Sequence, residues 1–60
     1  MNGAVLAAEY SKGPKNGPKA WLTFNVIAGG ERSFVEEIGV SGKLEARRIA
    51  AKRNAIAWNF

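Results

Sequence analysis

Sixty residues carry nine Lys or Arg against five Asp or Glu, a formal charge of +4, with neither Cys nor His. A chain this short is one small domain at the lower limit of an independently stable core. Without Cys and His, disulfide stapling and the usual zinc sites are excluded, so pairing with another chain is the expected source of extra stability. The charge favours anionic partners.

The opening residues Met1 to Ala8 lack basic flanks and a long apolar run. That argues against a signal peptide or a membrane span, and the expected setting is intracellular, the cytoplasm. From Ala4 to Tyr10, Leu6, Ala8 and Tyr10 alternate with Val5, Ala7 and Glu9, the period of a strand with one better-buried face. Lys12 to Lys19 reads as a loop, because Pro14 and Pro18 cannot donate to a ladder and Asn16-Gly17 is a turn pair.

Trp21 to Ala28 is the strongest strand pattern, with Ala20, Leu22, Phe24, Val26 and Ala28 on one face and Trp21, Thr23, Asn25 and Ile27 on the other. Gly29-Gly30 supplies a tight turn into a third strand, Arg32 to Val40. Phe34, Ile38 and Val40 share a face there with Glu36, and Gly39 is the candidate bulge. Short loops between consecutive strands favour antiparallel pairing.

Lys43 to Phe60 contains no Gly or Pro and is rich in Ala, Leu, Lys and Arg, which predicts about eighteen residues of helix. Ser41 is the expected N-cap. Ile49, Ile56 and Phe60 recur at helical spacing on a core-facing side, joined by Arg53. A charge there pairs with Glu36 or extends its stem over the core toward water. Leu44, Ala51, Ala55 and Trp58 form a second apolar stripe, which needs a partner. The expected fold class is therefore α+β: a three-stranded antiparallel meander, then one C-terminal helix packed on one face. It spans residues 1–60 as a single domain, with Leu22, Phe24, Val26, Phe34, Ile38, Ile49 and Ile56 as its core.

No acid/base, nucleophile or metal spacing is present, so no enzyme activity and no cofactor are expected. Glu36 and Glu37 point to opposite faces of a strand, and Gly29-Gly30 is not a phosphate-binding glycine motif. The basic residues are the functional candidates. Lys43 with Arg47, and Arg48 with Lys52, are i, i+4 pairs on the helix, while Lys12, Lys15, Asn16 and Lys19 occupy the loop. Trp21 is placed to stack on a base or to pack in a dimer.

Gly13-Pro14, Leu22 to Ile27, Gly29-Gly30, Phe34 to Gly39, Lys43 to Arg47 and Ala50-Ala51 together resemble the later part of a double-stranded-RNA-binding domain. That resemblance implies three antiparallel strands before a helix whose basic start contacts phosphates, and a Gly-Pro loop entering the minor groove. It assigns Lys43 and Arg47 to the outer basic positions of the helix motif, and Lys15 or Asn16 to the groove loop. Leu44 stands where the family has its central Lys. The same element order also resembles tyrosine-recombinase arm-binding and AP2-type domains, which read DNA with the sheet.

Two functions follow as expectations. The first is a basic module contacting the phosphates of duplex RNA or DNA, acting as a homodimer through the second helix stripe or through the sheet face bearing Trp21 and Ile27. The alternative is a protein-interaction module, a small inhibitor or adaptor, whose second helix stripe binds a protein partner.

Overall fold

The computed structural model describes residues 3–60. Met1 and Asn2, the start of the segment read against a leader sequence, lie outside them. The order is β1 (Val5–Lys12), β2 (Ala20–Ala28), β3 (Glu31–Val40), α1 (Lys43–Lys52) and a two-residue β4 (Ile56–Ala57). The first three strands form an antiparallel meander, and the sheet runs β3-β2-β1-β4 with β4 parallel to β1. This is the α+β, β-β-β-α arrangement that the alternation of apolar residues predicts. No helix among the described residues is long and apolar enough to cross a membrane.

Alternation along β2 decides which side is buried. Ala20, Leu22 and Phe24 lie against α1 with almost no exposure, flanked by Ala8 on β1 and Val40 on β3. From the helix come Ala46 and Ala50, both buried. Small residues at the contact let the helix backbone lie close to the sheet. Ten residues of α1 rise only about 15 Å, on a molecule 41 Å long. The helix therefore covers the half of the sheet next to the β1–β2 loop.

Two parts of the expected core are absent. Between Phe24 and Asn25 the β2–β3 register shifts: Phe24 faces Glu36, Asn25 faces Phe34, and Val35 is the extra residue. The bulge falls there and not at Gly39, and by parity of two it turns Phe34 to the face away from the helix. Phe34 is 65% exposed. Ile56, also expected inside, is exposed in β4.

Its displacement follows from where the helix ends. Asn54 adopts φ 55, and its N–H donates to the Ala51 carbonyl at 3.1 Å, while the Ala55 N–H donates to the Ala50 carbonyl at 2.9 Å. This is a Schellman termination with Asn in the left-handed position usually held by Gly. Residues 53–60 are thus not helical. They return along β1: Ile56 and Ala57 pair with Ala7 and Ala8, and the Trp58 N–H donates to the Ala8 carbonyl at 2.8 Å. The Asn59 amide then takes the Tyr10 N–H on Oδ1 at 2.7 Å and donates Nδ2 to the Tyr10 carbonyl at 2.9 Å. Phe60 meets the Tyr10 ring at 5.7 Å.

This termination dissolves the second apolar stripe. Leu44 and Ala51 remain exposed on α1, but Ala55 packs half-buried on the core and Trp58 belongs to the returning tail.

The helix start also differs in detail. Gly42 is the N-cap, without a side-chain bond, and Ser41 stands one residue earlier. The first turn is held instead by Glu45, whose Oε1 accepts the Ser41 N–H at 2.7 Å. That bond, and then one from the Ser41 hydroxyl, holds the Glu45 carboxyl below its ordinary pKa.

Candidate nucleic-acid interface

The topology gathers the basic candidates. Lys12 closes β1 opposite Ala20, which in turn faces Val40 at the end of β3. The helix begins three residues after Val40, so the start of α1 and the β1–β2 loop lie at one end of the sheet. Lys12, Lys15, Lys19 and Lys43 therefore share that end. Arg47 and Arg48 follow a turn further along α1, and Lys52 closes a basic run of about 14 Å of helix axis. With Ala46 and Ala50 against the sheet, Lys43 and Arg47 fall on the β1 flank. Lys43 Nζ lies 6.0 Å from the Tyr10 ring centre. Arg48 lies on the crest and Lys52 toward β3.

The loop is tied at its neck and open at its tip. The Gly13 N–H donates to the Lys19 carbonyl at 2.9 Å, and a side chain on Gly13 would overlap the Pro18 carbonyl oxygen. Pro18 rests on Gly39: a Cβ there would lie 2.9 Å from the proline Cβ, with Trp21 Cζ3 at 3.8 Å. Trp21 is thus half-buried beside this contact, and this is why β3 carries a glycine at that position. Lys15 and Asn16 project at the exposed tip.

Ion pairing separates two kinds of cation. Arg32 reaches Glu9 at 3.1 Å on the outer sheet face, and Arg53 pairs with Glu36. The Arg53 guanidinium also lies 4.8 Å from the Phe24 ring centre, so its stem covers the core edge while its charge meets Glu36 and water. Both ion pairs are well exposed and contribute at most about 1 kcal/mol each. Glu37 accepts the Thr23 hydroxyl at 3.1 Å, and Glu45 is engaged at the helix start. Among the described residues, Lys12, Lys15, Lys19, Lys43, Arg47, Arg48 and Lys52 form no ion pair. All seven are exposed.

The opposite face of the sheet holds Trp21 and Ile27, the sheet residues considered for self-association. Both are half-buried there. A row across the four strands runs Ile56, Ala7, Asn25, Phe34, with small residues in the middle and large exposed ones at each edge. Phe34 and Ile56 were expected in the core, so sequence reasoning missed them as surface. Val35 and Trp58 are exposed as well. No group of three or more His, Cys, Asp or Glu residues gathers among the described residues.

No protein-family model, curated protein or solved structure matches this sequence.

Proposed function

We propose that this protein binds duplex nucleic acid, RNA or DNA, through its phosphate backbone, using the β1–β2 loop and the exposed side of α1. The observation that carries this reading is the segregation of charge. Four of the five acidic side chains engage Arg32, Arg53, Thr23 and the Ser41 backbone, the fifth, Glu31, stands at the start of β3, and among the described residues the seven remaining cations, on two adjoining elements, form no ion pair. A surface built only for solubility would intersperse the two signs. Lys and Arg without a polar reading helix contact phosphates and not base edges, so sequence preference is weak. The likeness to double-stranded-RNA-binding domains supports the same roles for Lys43, Arg47 and the loop tip.

The test is a titration of the protein with duplex RNA, duplex DNA and single strands over a salt series. The expected result is duplex binding whose logarithm falls linearly with the logarithm of salt, about 0.9 per phosphate contacted. No duplex binding at low salt refutes the reading.

A second reading, supported by exposed Phe34, Val35, Ile56 and Trp58, is a protein-interaction surface on the outer sheet face, with a second copy as its first candidate. Sedimentation at micromolar concentration tests it. A folded monomer there removes the homodimer and leaves a heterologous protein partner.

A further inference from the structure

We propose that Asn16 is a site of spontaneous deamidation, and that the reaction inserts a negative charge at the tip of the basic loop. The Gly17 amide nitrogen, after losing its proton to solvent, attacks Asn16 Cγ. The bond from Cγ to Nδ2 breaks, ammonia leaves, and a five-membered succinimide forms. Water then opens either ring C–N bond, giving an aspartate or isoaspartate carboxylate and a proton. Asparagine plus water becomes carboxylate plus ammonium, with no change of oxidation state.

Four observations converge on this position. Asn16 is exposed in a turn, and the residue supplying the nucleophile is a glycine, which offers no side chain to obstruct the approach. Neither the Asn16 amide nor the Gly17 N–H makes a hydrogen bond among the described residues, so nothing holds either group back. The adjoining Lys15, with Lys12 and Lys19 at the neck, favours the deprotonated nitrogen that attacks.

Each other described asparagine is blocked by its own structure. Asn25 is 6% exposed within β2 and precedes branched Val26. The nitrogen following Asn54 belongs to Ala55 and is bound to the Ala50 carbonyl at 2.9 Å. Asn59 has both ends of its amide on the Tyr10 backbone and precedes Phe60. Asn2, which also precedes a glycine, lies outside the described residues and is separated from Asn16 by any peptide map.

Conversion lowers the formal charge of the protein from +4 to +3 at one stroke, and places the new carboxylate beside Lys15. The functional consequence rests on the proposed nucleic-acid reading: a loop tip that met phosphate would then repel it. This makes the loop a chemical clock, intact in new protein and weakened in old.

The experiment ages the full-length protein at neutral to mildly alkaline pH and follows each asparagine by peptide mapping and mass spectrometry. Asn16 is expected to convert ahead of Asn25, Asn54 and Asn59, and the Asn16→Gln variant to lose the loop signal. Conversion at Asn16 no faster than at those three overturns the site. Duplex titrations of fresh protein, aged protein and Asn16→Asp then read the consequence. Binding about fivefold weaker is expected, the effect of one unit charge at about 4 Å in water. If fresh protein binds duplex and Asn16→Asp binds equally well, the switch is refuted. If Asn16 converts but fresh protein binds no duplex, the modification stands and the nucleic-acid function falls.

Discussion

Phe24 and Phe34 occupy neighbouring strands and look alike in the sequence, yet their replacement by Ala should separate them sharply. Phe24 has no exposed surface, is flanked by Ala8 and Glu36, and lies beneath the Arg53 guanidinium. Its truncation should cost about 3–5 kcal/mol, the usual range for a buried aromatic. A domain of this size has only about 3–9 kcal/mol in total, so at least a third of its stability disappears, and at the lower totals all of it. Phe34 keeps 65% of its surface in water. If full burial of such a ring is worth about 1.5–3 kcal/mol, the buried third contributes roughly 0.5–1 kcal/mol. Urea unfolding of both variants in dilute solution, with an unchanged slope m, measures the difference directly. Comparable losses would mean that both rings face the core, and the bulge at Val35 would be misplaced.

The end of α1 can be tested by sign alone: Asn54→Ala should destabilise by about 1 kcal/mol, because at φ 55 Ala has the same Cβ penalty as Asn without the short polar side chain that offsets it, while Asn54→Gly should be neutral or stabilising. An uninterrupted helix would reverse the order, since Gly there costs about 1 kcal/mol relative to Ala. Glu45 has a folded pKa below its unfolded value, so its contribution is present above the unfolded pKa and lost as pH falls through the folded one. Thermal melts of Glu45→Gln should therefore show lower stability than the parent at neutral pH and no difference in strong acid. Arg47→Ala and Lys15→Ala should each lower the salt slope of duplex binding by about one unit without moving the melting temperature, as both residues are exposed.

The strands were legible because two independent signals agree. Alternation marks β2 at Ala20, Leu22 and Phe24, and Gly or Pro residues stand outside each strand end, so bounds fall within two residues of those expected. The pairing of Glu36 with Arg53 was legible for the same reason, since two charges on facing apolar stripes have few other partners. The helix end was not. Ile49, Ile56 and Phe60 keep helical spacing by coincidence, and Asn54 is a weaker stop signal than Gly or Pro. Nothing in Phe34-Val35-Glu36 announces a bulge either, because its cause lies in the pairing with β2 and not in local propensity. Of the candidate site, the identity of the cations was readable, but their separation from the acids depended on which groups the folded sheet brought together. The seat of Pro18 on Gly39 required a contact between residues that the sequence places 21 positions apart.

The returning tail has a consequence for how this small sheet survives among copies of itself. Without residues 56–59, β1 would be an open edge of eight residues, an invitation to a strand from another molecule. The tail occupies that edge, and at Tyr10, where a strand residue would give one N–H and one carbonyl, the Asn59 amide gives both in imitation of a peptide group. Among the described residues the opposite edge, β3, has no such cover, but its bulge interrupts the flat ladder that a foreign strand would need. One edge is guarded by an added segment and the other by an irregularity. The guard on β1 closes across 49 residues of sequence, so its loop-closure entropy is larger than that of either hairpin in the meander. Shortening the protein from its C-terminus would leave that edge bare.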